Sequence, residues 1–178
     1  MGKEERIICF QDTYEKSHTG RLKQFTEQAV KSNRVYAEGF VSIAKCHNES
    51  APIEVCPGTT FAIAKRYAPL GKTAVLNFAN PENPGGGVQF GAMAQEECLC
   101  RSSNFFACIS NPNVFDAYYG YHRTLKSHFY TDRLIYTKNV TVFKDDSPVP
   151  QMLPEKTGLM WMLSPVRLHI SAEANIRM

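Results

Sequence analysis

At 178 residues, with 43% hydrophobic and 21% charged side chains, the chain suits one domain built around a single core. Twenty Lys and Arg against 17 Asp and Glu leave a formal charge of +3 with no basic stripe, which argues against nucleic acid as a partner. No apolar run approaches the roughly 20 residues of a membrane span, and no signal peptide is evident, so the six cysteines (Cys9, Cys46, Cys56, Cys98, Cys100, Cys108) read as reduced thiols of a cytoplasmic protein.

RIICF, Arg6 to Phe10, is a short apolar run suited to a strand or a docked arm. SHTGRLKQFTEQAVKSN then sets Leu22, Phe25, Ala29 and Val30 at helical spacing, with Ser17 and Thr19 as cap candidates. VYAEGFVSIA reads as extended and CHNESAPIEVCPGTT as a loop, by its Asn, Ser, Pro and Gly content. Thr59 or Thr60 can cap a helix over FAIAKRYA that stops at Leu70-Gly71. TAVLNFA, Thr73 to Ala79, is a continuous apolar run of the kind found in strands covered on both faces.

A glycine-rich loop follows, and then a helix from about Ala94 to Ile109. Strand, glycine loop and helix form the unit from which α/β folds build ligand sites at strand carboxyl ends. RLIYT and NVTVFKD read as strands, the second with alternating Val140, Val142 and Lys144; DDSPVPQMLP reads as a loop and GLMWMLSPV as a further strand. Ser171 is a candidate N-cap, with Glu173 in the first turn of a short helix over Ala172 to Met178.

The chemistry concentrates between Asn80 and Glu97. Gly85, Gly86 and Gly87 carry no Cβ and accept positive φ, so their N–H groups can approach a ligand closely. Such a loop cradles phosphates or simply makes a tight turn after a strand. The Gly-Lys-Ser/Thr of a P-loop does not follow. Gln95-Glu96-Glu97 comes seven residues later, where the helix begins. Adjacent helical residues point about 100° apart, so the two carboxylates cannot flank one bond from opposite sides. One can reach a reacting atom while the other holds a substrate hydroxyl or faces elsewhere. A helix N-terminus favours their ionised forms, whereas a general acid needs burial to raise its pKa. The competing reading is a solvated acidic helix start. Cys98 and Cys100 have no placed base and read as structural thiols. Cys46-His47 with Cys56 is the nearest approach to zinc-ligand spacing, and no metal is expected.

Asn77-Phe78-Ala79-Asn80, Pro84-Gly85-Gly86-Gly87 and Gln95-Glu96-Glu97 together resemble the signature of bacterial-type poly(ADP-ribose) glycohydrolases. YAEGF, LCRSS and LIYTKNVTVFKDD are similar to segments of the same family, so the resemblance spans roughly residues 6 to 175 and is strongest from Val75 to Ser103. It implies an α/β fold, a macrodomain-like three-layer α/β/α arrangement with a mixed sheet. Residues 1–58 would form an N-terminal accessory segment with helices, and residues 59–178 the first part of the macrodomain core. The family's fold continues with a helix, a strand, a second glycine-rich loop carrying an aromatic clamp, and a final helix and strand. The only glycine after Gly120 is Gly158, and MWMLSPV departs from the family's wording, so the expectation is a chain truncated at the C-terminal end.

By position, the resemblance implies that Glu97 is the general acid and base at the ribose–ribose bond. Glu96 and Asn80 would hold the distal ribose, and Gln95 would brace the loop. The Gly85–Gly87 backbone would lie against the distal ribose and diphosphate. The implied partner is poly(ADP-ribose) or an ADP-ribosylated protein, with no cofactor and no membrane. The alternative is a macrodomain that binds ADP-ribose without cutting it, or an inactive truncated homologue.

Overall fold

The computed structural model describes residues 1–40, 52–71, 73–126 and 130–154, together with the backbone of the strand at 168–173. The last four residues of VYAEGFVSIA, the strand expected over GLMWMLSPV and the Cys46-His47 pair lie outside the described residues.

Helix α1 (Lys3–His18) replaces the strand or arm expected at RIICF. Its buried face is Phe10, Thr13 and Ser17, at helical spacing but mostly polar. Thr13 Oγ1 donates to the Arg101 carbonyl at 2.6 Å and Ser17 Oγ to the Thr13 carbonyl at 2.8 Å, so both hydroxyls are satisfied within a packed interface. Helix α2 (Gly20–Lys31) starts after Thr19, one of the two expected caps, and ends at Ser32. The Ser32 hydroxyl reaches the Lys138 carbonyl at 2.9 Å and ties α2 to the sheet.

Four strands form a mixed sheet in the order β1-β3-β4-β2, with β1 at Arg34–Tyr36, β2 at Ala74–Asn77, β3 at Leu134–Val140 and β4 at Leu168–Glu173. β3 runs antiparallel to β1 and to β4, whereas β2 and β4 are parallel, which requires a long crossover between them. A bulge between Thr137 and Val140 places Asn139 at φ 61°, a conformation that Asn tolerates better than most residues. β4 corrects the expectation of a helix capped by Ser171: the segment enters the sheet between β3 and β2. β2 is also not covered on both faces. Val75 and Asn77 are buried while Ala74 and Leu76 are exposed.

Helix α3 (Thr60–Tyr67) is capped by Thr59, whose hydroxyl accepts from the Ala62 N–H at 3.2 Å, and it closes in a 3₁₀ turn before Gly71 as expected. The single helix expected from Ala94 to Ile109 is two, α4 (Gln95–Ser102) and α5 (Phe105–Ile109). The break lies at Asn104. Its N–H donates to the Thr141 carbonyl at 3.1 Å, and its side-chain oxygen accepts from the Thr141 N–H at 2.8 Å. That pairing competes with the helical ladder and wins. After α5 come the turn α6 (Pro112–Val114), a π-helical segment (Phe115–Gly120) and the turn α7 (Tyr121–Thr124).

The core joins Phe10, Phe61, Val75, Leu99, Phe105, Phe106, Ile109, Tyr118, Ile135 and Val142. Phe10 meets Phe106 edge-on, with ring centroids 4.9 Å apart. Among the described residues no helix is long and apolar enough to cross a membrane. The fold is α/β with a mixed sheet, and hydrogen bonds from Gln95 to the Leu76 carbonyl and from the Asn77 amide to Glu96 tie the start of α4 to the carboxyl end of β2.

Candidate active site

The site grows out of that carboxyl end. Asn80 turns the chain: its side-chain oxygen accepts from the N–H groups of Glu82 at 2.9 Å and Asn83 at 2.8 Å. The Asn83 carbonyl then accepts from the Gly86 N–H at 2.9 Å, and a 3₁₀ turn over Val88–Phe90 carries the chain back towards α4. Gly85 and Gly86 have φ of 69° and 56°. A methyl group on Gly85 would stand 2.7 Å from Phe106 Cδ2, and one on Gly86 would stand 2.5 Å from Glu97 Oε1. Only glycine fits either place.

Gln95 bridges strand and helix. Its amide nitrogen donates to the Leu76 carbonyl at 2.8 Å and its oxygen accepts from the Phe78 N–H at 3.0 Å. The two glutamates are not a solvated helix start; Glu96 is 3% exposed and Glu97 6%. Glu96 Oε2 accepts from the Asn80 N–H at 2.8 Å and Oε1 from the Asn77 amide at 3.2 Å. Glu97 Oε1 accepts from the Gly87 N–H at 2.9 Å. Its second oxygen, Oε2, is buried with no hydrogen-bond partner among the described residues. Burial pushes the Glu96 carboxyl up to about 7, with the Glu97 charge adding to the rise, against the Asn80 N–H and the Asn77 amide.

The structure therefore gathers Asn80, Gly85, Gly86, Gly87, Gln95, Glu96 and Glu97 into one cluster. The chemical capacity is that of two buried carboxyls with distinct surroundings, one fully engaged by donors and one with an oxygen left over, beneath a loop of backbone N–H groups. Among the described residues no three His, Cys, Asp or Glu side chains are grouped to hold a metal ion. The sequence pattern assigns Asn77 no role, although it is the lone polar residue at an inward-facing position of β2. Arg123 and Tyr130 also reach this region, and nothing local in the sequence marks them.

A mixed α/β fold with a glycine loop folded over paired carboxyls at a strand end defines the class, and sequence comparison gives the family. Residues 3–145 match the microbial-type PARG catalytic domain, and the chain belongs to that family. Among solved structures, poly(ADP-ribose) glycohydrolase from Thermomonospora curvata is 30% identical with a TM-score of 0.75, over 96% of this chain and 64% of that one. The same enzyme bound to the inhibitor ADP-HPD superposes with a TM-score of 0.73, at 30% identity over 96% and 63% of the two chains. The Deinococcus radiodurans enzyme in complex with ADP-ribose is 38% identical, with a TM-score of 0.55 over 68% of this chain and 43% of that one. The chain thus spans less than two thirds of the length of each of these relatives. No curated protein matches the sequence.

Proposed function

We propose that this chain is a poly(ADP-ribose) glycohydrolase that cuts the ribose–ribose O-glycosidic bond at a chain end and releases ADP-ribose. The observation that carries this reading is the Glu97 carboxyl: Oε1 is fixed by the Gly87 N–H at 2.9 Å, and Oε2 is buried and unpartnered among the described residues. Oε2 is the atom that delivers a proton to the departing ribose oxygen. The ribose carbon left behind has oxocarbenium character, and the same oxygen then takes a proton from the attacking water.

The remaining residues hold the sugar. The Asn80 side-chain oxygen is taken up by the loop, so its amide nitrogen is the part that meets a ribose hydroxyl, next to Glu96. Gln95 fixes the α4 N-terminus to β2, and the Gly85–Gly87 backbone lies against the distal ribose and diphosphate. A module that only binds ADP-ribose has no need of the acid supplied by Glu96-Glu97, which favours cleavage over mere recognition. The substrate of this reading is poly(ADP-ribose) or an ADP-ribosylated protein. The five described cysteines are free thiols, in keeping with a reducing, cytoplasmic setting.

The test is incubation of the full chain with poly(ADP-ribose) and chromatographic separation of the products. Accumulation of free ADP-ribose supports the reading; polymer that stays intact at high enzyme concentration contradicts it.

A further inference from the structure

We infer that Arg123 is a positioning residue: it braces the Glu82–Asn83 bend and through it holds the glycine loop in place over Glu97. Its kinetic consequence rests on the function proposed above; its structural consequence does not.

Arg123 Nε donates to the Glu82 carbonyl at 3.0 Å, and one terminal nitrogen of the same guanidinium donates to the Asn83 side-chain oxygen at 3.0 Å. One rigid fork thus grips two consecutive residues. From another direction the Tyr130 hydroxyl donates to the Glu82 carboxylate at 3.1 Å. The Asn83 carbonyl accepts from the Gly86 N–H at 2.9 Å, and the next N–H, that of Gly87, reaches Glu97 Oε1 at 2.9 Å. A short chain of hydrogen bonds therefore runs from Arg123 to the carboxyl that does the chemistry.

The need for a brace comes from composition. Three consecutive glycines lose more backbone entropy on ordering than any other triplet, so the loop holds its shape only if its ends are fixed. The brace itself is supplied by the π-helical segment Phe115–Gly120, which lies just before Arg123 and begins with the ring on which the guanidinium rests, 4.9 Å from the Phe115 centroid. An extra residue in a helical turn re-aims the side chains that come after it, and such turns recur at functional sites. Stacking also restrains an exposed side chain that otherwise samples many rotamers.

Two readouts test this on the full chain, for Arg123→Ala, Arg123→Lys and Asn83→Ala. Amide hydrogen exchange by NMR is expected to speed up about tenfold or more at Gly86 and Gly87 in Arg123→Ala, with Ile135 in β3 unchanged. The kcat for ADP-ribose release is expected to fall about tenfold or more, since a misplacement of about 1 Å can cost 10²-fold. Lys restores only part of it, and adding Asn83→Ala to Arg123→Ala makes it no worse. Unchanged exchange at Gly86 and Gly87, or a uniform acceleration that includes Ile135, overturns the inference, as does a mobile loop with parental kcat. If Arg123→Ala does not fold, Asn83→Ala removes one of the fork's two contacts and leaves the Glu82 carbonyl contact, so a smaller acceleration at Gly86 and Gly87 is expected. A parent that releases no ADP-ribose refutes the proposed function, while local loosening at the two glycines still supports the brace.

Discussion

The place that a methyl group would occupy on Gly86 lies 2.5 Å from Oε1 of Glu97. Loop and carboxyl are therefore fitted to each other at atomic contact, and the glycine is required twice, by space and by its φ of 56°. Gly86→Ala should cost about 1–2 kcal/mol of stability from the left-handed backbone alone. It should lower turnover far more than that loss implies, because the carboxyl must move. Thermal unfolding alongside initial rates checks this. A variant with parental turnover would show that the contact is incidental.

Glu96 makes stability depend on pH. Its carboxyl is pushed from an ordinary 4.5 up to about 7 by burial, so in that window the folded chain keeps a proton that the unfolded chain has released. Stability contributed by this group therefore falls as pH rises from about 4.5 to about 7 and levels off above. Glu96→Gln should flatten that part of the profile. Melting curves at about pH 5 and about pH 8 give the comparison, and an equal slope in parent and variant would remove Glu96 from the account.

Lys144 is buried to 3% exposure at the far end of the NVTVFKD segment, and its ammonium lies 2.7 Å from Asp12 on α1. Asp12→Ala strands that charge among carbonyl and thiol groups of Cys9. The expected cost is about 2 kcal/mol, discounted from the roughly 3–5 kcal/mol of a fully buried pair because Asp12 is half-open to solvent. Lys144→Met removes the charge itself and should cost about 1 kcal/mol or less. Denaturant unfolding of both variants decides the matter; if the methionine variant is the less stable one, the ion pair is not what anchors α1.

Much of the site was legible in the sequence because its signals are local. Glycines with positive φ, an Asn that turns the chain and carboxylates at a helix start each act within a few residues of themselves. Local signals mislead where distant partners decide the outcome. α1 hid because its inward face is Phe10, Thr13 and Ser17, and periodicity counts hydroxyls as outward; here they are buried on carbonyls of Cys9, Arg101 and Thr13. The α4–α5 break hid because Asn104 bonds to Thr141, which is 37 residues away. Ser171 carries a good local cap signal, yet β3 and β2 offer its backbone a ladder on both sides. Arg123 was invisible for the same reason: its targets, Glu82 and Asn83, lie about forty residues upstream.

Whether Glu97 moves the proton at the glycosidic bond is tested most directly by Glu97→Gln. The amide keeps the shape and the acceptor for the Gly87 N–H but cannot exchange a proton with substrate. ADP-ribose release from poly(ADP-ribose) should fall by about 10²–10⁴-fold, the usual contribution of a positioned acid–base group, while ADP-ribose binding by calorimetry persists. A variant that releases ADP-ribose at the parental rate would contradict the account.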